Sequence, residues 1–524
     1  MATGGVSPKQ GKILDIPAEP TIGTATAGTE SASVTFTANT SGRGGAATSY
    51  IATSTPDSIT GTGTSSPITV SGLTGATAYT FKVSGVGASG TGYPTDASNS
   101  ATPTVATYYA QTISSPSKFL TNTLLPKSMP IDSSGNAYIA AHVATSSSAA
   151  STVMGVAKIT STGIGWNTSI TASGNYGGVG NNFVDSSGNF YFVTQDSGST
   201  MLKVYKLSST GSITWQKILT GTNSGNNALA VDSAGNVIIA TTSFNGTNYD
   251  ACLIKLSSAG ALTWQVKLAS ASSYDYFEDL TIDSSDNIYV CGFMFINATS
   301  NIIAKYNSSG TLQWQRKITG AGAGTPPLYS VVVESAASNI YVSGRISDTS
   351  DSKWLIAKYS SSGTIQWQRS ITGGASATGA GIAIDASNNV YSYGTASPGA
   401  VTGNYIIKYD SSGTIQWQKQ ILITGYIGAE IESVSILSNK MYIEVAVDNK
   451  IINLVLPADG TATGTYTVSG YSIVYSTSTL TAATPTYTDA AQNWTASTNT
   501  TYTLSTNTET SAAGDLTVTR TGLA

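Results

Sequence analysis

Between about residues 106 and 462, apolar and polar positions alternate in short runs, as in Ile382-Ala383-Ile384 before a turn and Val390-Tyr391-Ser392-Tyr393 after it. A period of two is that of a strand with one face buried, and no stretch with the helix period competes with it. The runs are separated by two kinds of tight turn. In the first, Asp132-Ser133-Ser134-Gly135-Asn136, the acid caps the following amides and Gly takes the left-handed position. Asp286 and Asn388 stand where that Gly is missing, and both residue types tolerate the same conformation. The second turn, Asp410-Ser411-Ser412-Gly413, joins Tyr405-Ile406-Ile407-Lys408-Tyr409 to Thr414-Ile415-Gln416-Trp417-Gln418. Four strands and two such turns make a meander of about fifty residues.

The meander repeats. Trp166, Trp215, Trp264, Trp314, Trp367 and Trp417 are spaced by 49, 49, 50, 53 and 50 residues. The turn acids Asp132, Asp185, Asp232, Asp283, Glu334 and Asp385 keep the same step, and a degenerate copy follows at Ile436–Tyr442. These openers number repeats one to seven. Tyr108-Tyr109-Ala110-Gln111-Thr112-Ile113 matches the outer strand that begins Trp367-Gln368-Arg369-Ser370-Ile371 but has no repeat before it. Such an orphan strand is expected to complete repeat seven and close a ring without open edges. These units resemble the bacterial β-propeller repeat family, with a Gly-to-Trp turn similar to the tryptophan-docking turns of quinoprotein propellers. The resemblance implies an all-β, seven-bladed propeller over 106–462 and is nearly silent on function.

Upstream, residues 17–104 resemble a fibronectin type III domain: Pro17 and Pro20 open it, Val34-Thr35-Phe36 suits its second strand, and Leu73, Tyr79, Phe81 and Val83 match its later pattern. The early Trp of that family is absent, and Phe36 is the expected substitute. The resemblance implies a small β-sandwich acting as a spacer or docking unit. Downstream, residues 463–524 are Thr/Ser-rich with short alternating runs and are expected to form a small C-terminal β-module. Residues 1–16 form a polar arm carrying Lys9, Lys12 and the pair Ile13-Leu14.

Charged residues are only 10% of the chain and the formal net charge is -4, which leaves no basic face for nucleic acid. No apolar run reaches the roughly eighteen residues that would span a bilayer. Cys252 and Cys291 are the only cysteines and read as buried thiols. The start Met1-Ala2-Thr3-Gly4-Gly5 has neither the charged nor the apolar part of a secretory signal. A Ser/Thr/Gly-rich, nearly cysteine-free all-β chain of adhesive modules made in the cytoplasm resembles a bacteriophage virion protein, released by lysis.

Chemistry has few footholds. His142 is the only histidine, so neither a His-based metal cluster nor a Ser-His-Asp relay can be assembled. One acid per turn is too few for calcium. The turns resemble sialidase Asp-boxes, but Arg43, Arg316, Arg345, Arg369 and Arg520 do not suggest the required triad. Asp275, Glu278 and Asp351 could serve a glycosidase, yet nothing in the sequence pairs them. The recurring Lys158, Lys206, Lys255, Lys305, Lys358 and Lys408 are expected to be solvated or to pair weakly with turn acids, and the recurring tryptophans to pack blade against blade. No enzyme, metal or cofactor is expected.

What does not repeat is more informative. In a four-stranded meander both regular turns lie on one face and the irregular loops on the other. The loop face is expected to carry the ligand-binding residues Phe244, Tyr249, Tyr274, Tyr276, Phe277, Phe293, Phe295, Tyr329, Arg345 and Trp354. The function expected is that of a non-enzymatic, tail-associated virion protein. It would attach to other virion proteins through the arm and the fibronectin-like domain, and present the propeller, in multiple copies, to a host-surface polysaccharide. The alternatives are a capsid or tail decoration protein without a receptor, and a secreted bacterial adhesin or glycan-active propeller enzyme.

Overall fold

The computed structural model describes residues 16–522 except 29–30, 40–45, 72, 74–76, 105–107, 115–118, 121–127, 145–150, 162, 197–200, 222–226, 245–246, 270–273, 297, 320–326, 335, 337, 348–351, 373–376, 399–401, 425–429, 449, 469, 479, 484–487, 492–494, 499–502, 507–509 and 514–516; of the strands beyond 480 it describes the backbone. The arm over 1–15, Arg43 and Asp351, and the side chains of Phe295 and Arg520, therefore lie outside the described residues. Two compact units divide the chain, Met1–Thr107 and Tyr108–Ala524.

The first unit is a pair of sheets. Thr21–Gly28, Ser31–Thr37 and Ile68–Ser71 lie side by side in one, and Thr60–Gly63, Ser49–Thr55, Thr80–Gly87 and Gly90–Thr91 in the other. Strand alternation puts Ala32, Val34, Phe36, Tyr50, Ala52, Phe81 and Val83 into a common core. Tyr79 is buried in the same core and its hydroxyl donates to Asp57 Oδ2 at 2.7 Å.

The second unit is built from the repeats. Repeat three shows the pattern: Ala228–Val231, Val237–Phe244, Tyr249–Leu256 and Leu262–Ala269 pair in chain order, all antiparallel. Repeats four, five and six do the same. Repeats one and two share a nine-stranded sheet because the 22-residue strand Gly163–Val184 serves both. In repeat seven Glu430–Leu437, Lys440–Val447 and Lys450–Pro457 are completed by Tyr109–Ser114, which pairs antiparallel with the third. The orphan strand thus takes the outer place expected of it.

Packing follows the chain around. Apolar side chains from facing sheets form a separate cluster at each junction, such as Tyr191, Val193 and Val204 of repeat two against Ile239, Cys252 and Ile254 of repeat three. The last cluster joins Tyr442, Ala446, Ile451 and Val455 of repeat seven to Ile139, Ala141, Ala157 and Ile159 of repeat one. The arrangement is all-β and propeller-like.

The repeated residues hold these sheets together in two ways. Each turn acid organises its own turn: Asp232 Oδ1 accepts the amides of Ala234 and Asn236 at 3.0 and 2.8 Å, and Asn236 Nδ2 donates to Oδ2 at 2.9 Å. In most repeats a buried Tyr six or seven residues on also donates to the acid, as Tyr289 does to Asp283 at 3.0 Å. The repeated lysines close the group: Lys255 lies 2.8 Å from Asp232, Lys158 3.2 Å from Asp132 and Lys358 3.4 Å from Glu334, while Lys305 and Lys358 sit over the rings of Tyr289 and Tyr341 at 5.0 Å. Burial alone would raise the acids, but hydrogen bonds from Asn236 and Lys255 leave Asp232 below its ordinary value, and Asn136, Lys158 and Tyr138 do the same for Asp132.

The tryptophans tie one repeat to the next. Trp215 Nε1 donates to Ser258 O at 3.0 Å and Trp314 Nε1 to Ser361 O at 3.0 Å, each acceptor lying in the second turn of the following repeat. The turn glycine there has positive φ, 78° at Gly363, and a Cβ on it would come 2.8 Å from the Trp314 ring. Only glycine meets both demands. Lys255 also donates to Ser308 O of repeat four at 3.2 Å, so first turns, second turns and tryptophans share one face.

The C-terminal residues depart from expectation. They form no sheet of their own; every described strand from Gly464 to Gly522 belongs to a sheet of the repeats. Their Thr/Ser alternation is that of edge strands added to existing sheets, which a sequence pattern cannot distinguish from a small independent module.

Candidate ligand-binding face

Opposite the turns lie the connections between second and third strands and those between repeats. Five of the expected residues come together there. Phe244 and Tyr249 face each other across the ends of Val237–Phe244 and Tyr249–Leu256 with ring centroids 4.8 Å apart. Tyr249 stacks on Tyr274 at 5.2 Å and on Tyr276 at 6.0 Å, and Tyr276 stacks on Phe293 at 5.0 Å. Repeats three and four thereby share one continuous ladder of rings, joined also by a parallel bridge between Tyr249 and Tyr274. Stacked rings hide each other's faces, so the exposed part decides what a ligand meets. Tyr274 is 47% exposed, while Phe244, Tyr249, Tyr276 and Phe293 are half-buried. Burial, with Tyr249 and Tyr274 beside it, pushes the Tyr276 phenol up to about 12, so it remains a hydrogen-bond donor at any physiological pH.

The other expected residues separate. Phe277 and Trp354 are fully buried, which corrects their assignment to the ligand surface. The strand Asp275–Ile282 alternates, so Tyr276 faces outward while Phe277 enters the core between repeats three and four. Trp354 is in the core between repeats five and six, and its Nε1 lies 3.1 and 3.0 Å from the hydroxyls of Ser343 and Ser392. It lies within the strand Ser352–Ser360 and not in the loop expected for it. Arg345 is half-buried and donates to Ser352 across the same hairpin. Of the acids considered for catalysis, Asp275 and Glu278 are buried.

Tyr329 marks a second feature, near where the first strands of several repeats converge. Asp279 of repeat four accepts Asn181 Nδ2 of repeat two at 2.7 Å, and Ser330 Oγ and Val331 N of repeat five at 2.9 Å each. On one side of this web is a cavity of about 400 Å3 reaching the turn residues Ser233, Asp283 and Asp286. On the other is one of about 340 Å3 lined by Tyr329, Thr378, Tyr393, Glu430 and Glu432. Tyr393 donates to Glu432 O at 3.4 Å. The web was missed by sequence reasoning, although a signal exists. Asn181, Asp279 and Ser330 each precede the turn acid of their repeat by four residues and are all polar. Among the described residues no group of three or more His, Cys, Asp or Glu is placed to hold a metal, and Cys252 and Cys291 are buried and not joined by a disulfide.

Comparison with known proteins bears on the repeats. Residues 149–353 match the family described as outer membrane protein assembly factor BamB. No curated protein sequence matches the chain. Among solved structures, the polysaccharide lyase Uly1 is 8% identical, covering 66% of this chain and 99% of its own, with a TM-score of 0.40. A quinonprotein alcohol dehydrogenase-like protein from Bacteroides thetaiotaomicron is 12% identical over 76% of this chain and 95% of its own, at 0.33. Sqt1 from Chaetomium thermophilum is 9% identical over 84% and 96%, at 0.38. These scores add nothing on chemistry. Within the repeats, residues 149–353 are BamB-like in sequence.

Proposed function

We propose that the chain is a non-enzymatic bacteriophage virion protein whose seven-bladed propeller recognises a neutral glycan on the host surface. The observation that carries this reading is the aromatic ladder of repeats three and four, with Tyr274 left open at its edge. A half-exposed ring held rigid by stacked neighbours offers a flat apolar surface at little entropic cost, and flat apolar surfaces suit the C–H faces of sugar rings. The Ser, Thr and Asn content of the surrounding loops supplies hydrogen bonds without charge. The count of seven rests on the seven repeat openers, the seven junction clusters and the outer strand at 109–114.

The N-terminal unit supports an attachment role in this reading: its three-plus-four pairing of strands and buried Tyr79 suit a fibronectin type III-like spacer, with the arm 1–16 docking on other virion proteins. A single exposed ring binds weakly, so attachment relies on many copies acting together. The test is binding of the multimerised full-length chain to host cells or their extracted surface polysaccharide, at low and high salt. Saturable binding insensitive to salt supports the reading. An absence of binding, together with normal adsorption of particles carrying Tyr274→Ala, leaves the decoration role in its place.

A further inference from the structure

After the strand Tyr471–Thr477, the chain contains six short strands whose first residues are Thr481, Thr488, Thr495, Thr503, Thr510 and Thr517, a step of seven residues broken once by eight. Each pairs antiparallel with the outer strand of a different repeat. Tyr471–Thr477 lies on repeat six, Thr481–Ala483 on five, Thr488–Ala491 on four, Thr495–Thr498 on three, Thr503–Thr506 on two, Thr510–Ala513 on one and Thr517–Gly522 on seven. The order is the reverse of the chain and omits no repeat. The register is also constant. The leading threonines stand opposite Thr372, Thr319, Ala269, Thr220, Thr171 and Ser114, each following the Ile or Leu that ends its outer strand's apolar pattern.

We propose that residues 471–522 are a strap that fastens the ring from outside, adding an outermost strand to each repeat in turn and ending on the closing strand itself. The seven-residue step follows from geometry. Three to six residues pair with one sheet, and the four or five Cα-to-Cα steps to the next paired residue reach at most about 18 Å. Packed sheets lie about 10 Å apart, so each crossing reaches the next sheet and no further. The seam gains most. Tyr109–Ser114 pairs with Lys450–Pro457 on one side and with Thr517–Gly522 on the other, so both ends of the 108–524 unit are locked into one sheet. The strap also covers the end of each outer strand, an edge that would otherwise offer unpaired amides and carbonyls to another chain.

Amide hydrogen exchange on the full-length protein tests this. Ala490→Pro removes one donor from the step on repeat four and disfavours its extended pairing. Exchange at Arg316–Thr319 is expected to quicken at least tenfold while Ile288–Ile296 of the same sheet stays protected. Unchanged protection at Arg316–Thr319 overturns the strap. If A490P fails to fold, paired cysteines read the register instead. Lys317→Cys with Ala490→Cys is expected to cross-link on mild oxidation, whereas Lys317→Cys with Ala483→Cys, one step away, is not. Cross-linking of both pairs alike, or of neither, overturns the proposal.

Discussion

The two faces of the repeat unit use the same residue types to opposite ends. On the turn face, aromatic and charged side chains recur at fixed positions and spend their bonding capacity on each other: Asp, Asn, Tyr and Lys within a turn, Trp and Gly between repeats. On the loop face, aromatics and acids occur once, at positions no other repeat copies, and one ring is left half open. Repetition marks what every repeat needs in order to fold; its absence marks what only one place in the molecule does. A substitution on the first face should therefore act on stability, and one on the ladder on binding.

The largest effect is expected where a loop assignment proved to be core. Trp354→Ala should cost about 3–5 kcal/mol, the range for truncating a large buried aromatic, read as a shift in the denaturant midpoint at unchanged slope. Asp232→Ala comes next. It leaves the nearly buried Lys255 without its 2.8 Å partner and removes three turn bonds, and breaking a buried pair from one side costs about 3–5 kcal/mol, with lysine able to relax towards solvent. Gly363→Ala is smaller, about 1–2 kcal/mol for left-handed backbone, plus the close contact with Trp314.

Titration sharpens the picture because two buried groups pull in opposite directions. Burial, aided by Glu432, pushes the Glu444 carboxyl up to about 8 from an ordinary 4.5, with a hydrogen bond from Ser433 opposing it. The folded chain then holds a proton that the unfolded chain releases, so stability is full below about pH 4.5 and is lost as pH rises towards 8. Burial moves His142 the other way, down to about 3 from 6.5. Its contribution is full above pH 6.5 and is lost as pH falls below that value. The two slopes offset each other between about pH 4.5 and 6.5, so melting temperature should be highest across that range and fall on either side. Glu444→Gln, which fixes a neutral side chain, should flatten the alkaline limb and leave the acid limb in place. An alkaline limb identical to wild type would contradict the assignment.

The sequence made the regular parts legible for a physical reason. Turns need Asp, Asn and Gly, strands need alternation, and seven near-copies average away local noise; the outer strand at 109–114 could be placed because it copies a known position. Phe277 and Trp354 were misplaced because strand ends shift by a residue or two, and one residue reverses the face. The strap stayed hidden because its short alternating runs and Thr period of seven say that strands form but not which sheets they join. Its strands acquire meaning only beside the edges they cover. Asp279 and Asn181 carry no signal within a single repeat, because their meaning lies in a bond between two repeats distant in sequence.

The smallest effect on stability should accompany the largest on recognition. Tyr274→Ala removes an exposed ring and should change stability by less than about 0.5 kcal/mol. The most direct measurement is a titration of host surface polysaccharide with monomeric full-length protein, comparing wild type, Tyr274→Ala and Gly363→Ala at a temperature where all three are folded. Division of labour between the faces predicts that Y274A binds roughly tenfold more weakly, about 1.4 kcal/mol, with an unchanged melting temperature, while G363A melts earlier and binds as wild type. Wild-type affinity in Y274A, or equal loss of binding in G363A, would contradict it.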